Sequence, residues 1–249
     1  MDIVIIGSGN VAHHLARAFS QKGIVIRQLF GRNETDLQAI AQEFDIPFST
    51  SELQDADLYL ISVSDNAVHE VSGLITAENC LVAHTSGSLP MEALEGNYRK
   101  ASFYPLQTFS KSRAQDYSEI PFFIEAANSA DLILLKDLAA KISNNVAESS
   151  YGKRKYIHIT AIFACNFVNH LFARAREISD SQDIPFSYFK PLIEETVEKI
   201  GFMHPKDAQT GPAVRNDQRV LNLHEELLDG MHLEIYRTLN KSIKEMYGL

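Results

Sequence analysis

The chain has 249 residues, 45% of them hydrophobic and 22% charged, which fits one large globular domain or two modest ones. Its net charge of −9 excludes a broad basic surface for nucleic acid, which needs clustered Lys and Arg. The two cysteines, Cys80 and Cys165, have no metal-type spacing and are expected to be reduced core residues of a cytoplasmic protein. No metal site is expected. With a first strand read from residue 2, no signal peptide is expected, and no apolar run approaches the ~20 residues of a membrane span.

The first nineteen residues carry the strongest signal. Ile3 to Ile6 form a continuous apolar run, as in a strand buried on both faces of a parallel sheet. Gly7-Ser8-Gly9-Asn10-Val11-Ala12 follows, a G-x-G-x-x-A turn, and then Val11, Leu15, Ala18 and Phe19 recur at helical spacing. Strand, glycine turn and helix in that order are the context in which such a turn holds a dinucleotide. Gly7 permits the tight turn, Gly9 lets a pyrophosphate approach the backbone, and Ala12 lets the helix pack on the strand. The free N–H groups of Ser8, Gly9, Asn10 and Val11 would face the phosphates. The alternative is a glycine-rich turn with no ligand.

Ile24 to Phe30 read as the second strand. A site for NAD carries an acidic residue at this strand's end to hold the ribose hydroxyls. Here the end is Gly31-Arg32-Asn33, which instead offers donors to a 2′-phosphate, with Arg32 able to bind it through two bonds. The expected cofactor is therefore NADP. Arg32 could otherwise be a solvated loop residue beside a helix cap at Asn33.

Thr35 to Phe44 read as a helix and Asp57 to Val63 as a core strand. Asp65 is expected to cap the next helix. Val63, Ser64 and Asp65 would lie against the cofactor, since ligands sit at the carboxyl ends of such strands. Cys80 to Ala83 deliver His84-Thr85-Ser86 to the same edge, where Thr85 and Ser86 allow close approach. His84 could act as a proton donor near neutral pH, or be a strand-end histidine satisfied by backbone groups. Ala101 to Tyr104, Phe122 to Glu125 and Val146 to Glu148 complete the strands, with a helix from Ala130 to Ile142. The first domain closes near residue 150.

From Tyr151 the alternation stops. Tyr156 to Ser179 read as one long helix with a core stripe of Tyr156, Ile159, Phe163, Phe167 and Leu171. At 100° per residue His158, Asn169 and Arg176 fall in one line, with Asn166 offset by roughly 80° and expected to be buried with a partner. Pro185 to Ile200, Val220 to Leu228 and Leu233 to Met246 read as further helices. In the loop Thr210 to Asp217, Asp217 suits an N-cap. Arg215 could bind a substrate carboxylate or phosphate, or pair with Asp217.

The glycine turn resembles that of pyrroline-carboxylate reductases and of deazaflavin-dependent NADP reductases. Both belong to the superfamily with a Rossmann domain followed by a 6-phosphogluconate-dehydrogenase-like helical domain, and His84-Thr85-Ser86-Gly87, Tyr104 to Phe109, Phe163 to Phe167 and Thr210 to Asp217 resemble one bacterial subgroup of it described as NADP oxidoreductases. The resemblance covers nearly the whole chain. It implies an α/β Rossmann domain with a mostly parallel sheet over residues 1–150, followed by an all-helical domain for substrate and dimerisation over 151–249. It also implies hydride transfer between NADP(H) and a small carbonyl or imine metabolite, in a homodimer joined through the helical domain. Related hydroxyacid dehydrogenases carry a lysine proton donor on the long helix and an asparagine one or two turns later. His158 and Asn166 stand in those places, which departs from the pattern at the acid. Gln107 and Arg215 would bind the rest of the substrate. The absent lysine leaves open a dinucleotide-binding or sensing protein without turnover. A methyl- or nucleotidyl-transferase fits less well with Arg32 and the helical second half.

Overall fold

The computed structural model describes residues 1–249 in full, in two compact units, Met1–Asn166 and Phe167–Leu249. The first unit alternates strand and helix: β1 (Ile3–Ile6), α1 (Asn10–Gln21), β2 (Ile26–Phe30), α2 (Glu34–Phe44), β3 (Phe48–Ser49), β4 (Leu58–Ile61), α3 (Asp65–Ser72), β5 (Leu81–His84), β6 (Arg99–Pro105), β7 (Phe122–Ala126), α4 (Ser129–Ala140), β8 (Val146–Glu148) and α5 (Tyr151–Ala161). The eight strands form one sheet in the order β3-β2-β1-β4-β5-β6-β7-β8. Every neighbouring pair is parallel except β6 and β7, which run antiparallel with Tyr104 opposite Phe123 and Ser102 opposite Glu125.

Both faces of the sheet are covered, which is why its central strands read as unbroken apolar runs. Ile3 and Ile5 pack with Leu15 and Phe19 of α1, Leu37 and Ile40 of α2, and Leu135 and Leu138 of α4. Val4 and Ile6 point the other way, to Tyr59, Ile61, Val82 and Val68 of α3. The alternation has the two-residue period of a strand. Cap chemistry sets the helix starts. Asn33 accepts from the Asp36 N–H at 3.2 Å to open α2, and Asn128 accepts from the Asp131 N–H at 2.9 Å to open α4. The first residue of α3 is Asp65 and its cap is Ser64, one position before the expected one. The short strand β3 has too little apolar sequence to be read in advance.

The long helix is interrupted. After α5 the chain makes a wide π-type turn, Ile162–Phe167, before α6 (Val168–Ser181). A π turn adds a residue per turn, so the 100° wheel used to align His158 with Asn169 and Arg176 does not carry through it. The expected core stripe is not buried either: Tyr156, Ile159, Phe163 and Phe167 are exposed and Leu171 only partly covered. Cys80 is buried as expected, whereas Cys165 is exposed. The helical stretch Tyr151–Ser181, 31 residues long, contains an 18-residue window of mean hydropathy 1.2 and so meets the length and composition of a membrane span, contrary to expectation.

The second unit continues from α6 with α7 (Lys190–Lys199), entered through a tight turn at Phe186–Phe189, then α8 (Pro205–Ala208), α9 (Gln218–Glu226) and α10 (Gly230–Tyr247). Asp217 caps α9 by accepting from the Val220 N–H at 3.2 Å, as its sequence position suggested. Polar bonds tie these helices together. His224 on α9 meets the Tyr236 hydroxyl on α10 at 2.8 Å, and Arg237 on α10 pairs with Glu225 at 2.7 Å. Only Ser179, Ala213 and Leu221 of this unit are buried. Leu192, Val197 and Leu227 stand open, Leu227 being 81% exposed.

Candidate active site

A cavity of about 700 Å³ opens along the carboxyl edge of the parallel strands in the first unit. Open α/β sheets bind ligands at this edge, in the crevice where strand order reverses. Here β2 and β4 flank β1 on opposite sides.

At one end the wall is the turn from β1 into α1. Gly7 holds φ at +130°, and a Cβ there would lie 2.3 Å from the Ser62 carbonyl oxygen. Glycine is required by both conformation and space. Gly9 is different: a Cβ on it would meet nothing within 4 Å. The space it leaves is open cavity. Gly9 is also the cap position of α1 and supplies no side-chain bond to the first turn. The α1 donors are therefore free to meet an anion, and the helix dipole favours one. The Asn10 side-chain amide donates to the Phe109 carbonyl at 2.9 Å.

Beyond β2 the wall is Gly31, Arg32, Asn33 and Thr50. Arg32 is exposed and makes neither an ion pair nor a hydrogen bond. No carboxylate occupies the strand end. This donor set fits a phosphorylated ribose. Next to it the end of β4 supplies Val63, Ser64 and Asp65, and the end of β5 supplies Thr85, Ser86 and Gly87. Asp65 accepts a short hydrogen bond from the Ser88 hydroxyl, tying these two loops together.

At the far end stand Tyr104, from the end of β6, and His158, from α5. The phenol oxygen and the histidine Nδ1 share a hydrogen bond of 3.2 Å, and the rings meet edge to face. Burial pushes the Tyr104 phenol up to about 12, with the nearby Arg154 charge opposing that rise. It is a neutral donor at physiological pH. Gly87 closes this corner: a Cβ on it would lie 2.7 Å from Tyr104 Cζ and 2.8 Å from His158 Nδ1.

Two families match the chain. One, described as NADP oxidoreductase coenzyme F420-dependent, matches residues 2–86; the other, described as a domain of unknown function (DUF2520), matches residues 120–243. A solved structure described as a putative NADP oxidoreductase from Bacteroides fragilis is 41% identical, covers 98% of each chain, and superposes with a TM-score of 0.93. The chain belongs to this NADP oxidoreductase family. The fold is shared more widely. A pyrroline-5-carboxylate reductase from Streptococcus pyogenes is 15% identical with a TM-score of 0.64, over 100% of this chain and 99% of that one. A reductive aminase from Aspergillus terreus, in complex with NADPH and ethyl levulinate, is 12% identical with a TM-score of 0.71, over 98% and 92%. No curated protein sequence matches the chain.

As an NADP oxidoreductase the chain brings all of its expected cofactor residues to one cavity: Gly7, Ser8, Gly9, Asn10, Val11, Arg32, Asn33, Val63, Ser64, Asp65, Thr85 and Ser86 line it. Of the expected catalytic residues only His158 does. His84 is fully buried outside the lining, with Nδ1 accepting from the Ser86 N–H at 3.2 Å. Burial, helped by the Arg154 charge, lowers it from 6.5 to about 4. It is neutral at pH 7, with a backbone bond at Nδ1 and the buried Nε2 left without a partner, so backbone satisfies only one side of the ring. Asn166 is exposed rather than buried, and lies outside the cavity lining, within the π-type turn that follows α5.

Gln107 is exposed outside the lining, its Oε1 accepting from the Thr108 N–H at 2.7 Å. The reason is the neighbouring Phe109, which stacks on buried His14 at 4.5 Å while the His14 Nε2 bonds the Ser110 carbonyl at 2.9 Å. These contacts draw the loop over α1. Arg215 is an exposed residue of the second unit and makes no ion pair with Asp217. Sequence reasoning did not single out Tyr104, although it ends a strand in one of the motifs that carried the resemblance.

Proposed function

We propose that the protein reduces the C=N or C=O bond of a small metabolite with NADPH, delivering the proton through the Tyr104–His158 pair. One observation carries this reading: the glycine turn, unpaired Arg32 and the Tyr104–His158 pair line a single cavity. The α1 N-terminus and the Gly9 gap would hold the pyrophosphate, with Arg32 and Asn33 on the 2′-phosphate. Bound NADPH would supply the hydride. Tyr104, protonated at working pH, then stands ready to donate a proton to nitrogen or oxygen on the substrate, and His158 is placed to pass a proton back to it. The fold is shared with a pyrroline-5-carboxylate reductase, named for a cyclic imine that it reduces, and with a reductive aminase in complex with NADPH, which supports that substrate class.

The same reading gives the first 150 residues to the dinucleotide and residues 151–249 to substrate and to a second copy. The helical unit has almost no buried side chains of its own, which a stable layer of helices needs. A homodimer would cover Leu192, Val197 and Leu227. It also accounts for the apolar stretch Tyr151–Ser181 without a membrane, because Arg154 is buried in an ion pair near its start and Arg174, Arg176, Glu177 and Asp180 crowd its end. Net charge argues against nucleic acid, and the free cysteines Cys80 and Cys165 support a cytoplasmic location.

The test is NADPH oxidation against a panel of cyclic imines, ketones and aldehyde–amine mixtures. Reduction of any member at a rate lost in Tyr104→Phe supports the reading. Tight NADPH binding with no turnover across the panel would favour a sensing protein instead.

A further inference from the structure

Arg154 is the largest fully buried side chain in the molecule, at 0% exposure. A guanidinium cannot shed its charge, so its burial needs compensation and a reason. The compensation is clear. Nη1 pairs with Glu125 Oε2 on β7 at 2.5 Å, and Nη2 donates to the Leu89 carbonyl at 2.6 Å. The second Glu125 oxygen accepts from the Tyr151 N–H at 2.8 Å, and so caps α5 where Ser150 makes no side-chain bond. Nε has no partner. The arrangement therefore leaves one buried donor unsatisfied while fixing three pieces of chain to one another.

Those three pieces are the ones that build the far end of the cavity. Leu89 closes the loop that begins Thr85-Ser86-Gly87. Helix α5 carries His158 one turn after Arg154, on the same face. Strand β7 pairs with β6, which carries Tyr104. With Gly87 already in contact range of both Tyr104 and His158, a small slide of α5 would open or crush the hydrogen bond between them.

We propose that Arg154 is a positioning residue for the reaction, locking α5 to β7 and to the loop after β5 so that His158 meets Tyr104 at bonding distance. This rests on the reductase reading above. A second consequence concerns charge. Arg154 is the cation near the phenol, where Asp65, Glu125, His84 and His158 are the other titratable groups on the surrounding elements. Its charge opposes the upward push of burial on Tyr104, and so favours the phenol giving up its proton.

The experiment compares wild type, Arg154→Lys, Arg154→Gln and Glu125→Gln with NADPH and a reduced panel member, after thermal melts and NADPH titration confirm folding. In Arg154→Gln the expected result is a kcat loss of about 100-fold, the scale for a misplaced catalytic group. NADPH affinity should stay within about 2-fold, and the alkaline limb of the pH–rate profile should move upward. Arg154→Lys keeps the charge and loses the fork, so it should lose kcat with the limb in place. Glu125→Gln keeps Arg154 and loosens the clamp, and serves if Arg154→Gln does not fold. Folded variants with wild-type kcat and an unmoved profile overturn the proposal while leaving the reductase reading intact. A wild type that reduces nothing overturns both.

Discussion

The Tyr104 hydroxyl lies 3.2 Å from His158 Nδ1, joining the end of a core strand to a helix 54 residues further along. A neutral phenol at that position is a proton donor whose neighbour can replenish it. Tyr104→Phe should therefore lower kcat by about 100-fold or more with little change in NADPH binding, the usual scale for losing a general acid. His158→Ala should cost at least about tenfold. Steady-state kinetics on both variants decide the matter, and a wild-type rate in Tyr104→Phe would remove the phenol from the chemistry.

Arg32 has no partner within the chain, so whatever it binds comes from outside. Arg32→Ala should weaken NADPH by about tenfold or more, the scale of a charge-assisted pair, and leave NADH almost unchanged. Parallel fluorescence titrations read the difference directly. Equal losses for the two cofactors would place Arg32 away from the 2′-phosphate.

Gly7 and Gly9 should part company on substitution. Gly7→Ala forces a Cβ onto the Ser62 carbonyl at a backbone angle alanine rarely adopts, and should impair folding. Gly9→Ala meets no protein atom, so its melting temperature should stay near wild type while NADPH affinity drops by at least about tenfold. Melts and titrations on the pair test this; full NADPH affinity in Gly9→Ala would mean that the pyrophosphate lies elsewhere.

His84 makes stability depend on pH. Its folded pKa of about 4 lies below the ordinary 6.5, so the unfolded chain binds the extra proton first. Stability is then fully present above about pH 6.5 and is lost as pH falls toward 4. The full gap corresponds to about 3 kcal/mol. Denaturation midpoints at pH 7 and pH 4.5 should differ clearly in wild type. The difference should shrink in His84→Asn, which keeps an acceptor for the Ser86 N–H. An equal drop in both proteins would assign the acid sensitivity to other groups.

The exposed apolar faces of the helical unit predict self-association. Sedimentation should give a dimer, and Leu227→Glu should shift it toward monomer with far-ultraviolet circular dichroism largely retained. A monomeric wild type at micromolar concentration would count against the dimer.

The cofactor end of the site was legible because its logic is local. A strand, two glycines, a small residue and a helix lie between Ile3 and Gln21, and Arg32 follows directly from the end of the next strand. The chemical end was not. Tyr104 sits in an apolar run and reads as core until His158 is brought to it across the sheet. Arg154 stands in the basic run Lys153-Arg154-Lys155, where nothing marks the middle residue for burial and its neighbours for solvent. At Asn166 the apolar neighbours Cys165 and Phe167 suggested burial, but the whole stretch from Phe163 to Phe167 is exposed in the structure. In the second unit the apolar stripes were visible, but a stripe does not say whether its cover comes from the same chain.

The reversal of β7 carries a consequence for how this fold came by its chemistry. Because β7 and β8 run downward beside an upward sheet, the chain leaves β8 at the edge remote from the cavity, and α5 must climb back toward it. That climb carries the helix from the Glu125 cap, beside Ser102, to His158 beside Tyr104. With β7 and β8 in the common direction, the following helix would begin at the rim and descend away from it. One antiparallel pairing thus decides which end of a helix reaches the cavity, and a histidine midway along a long helix comes to stand beside a phenol at the end of a core strand.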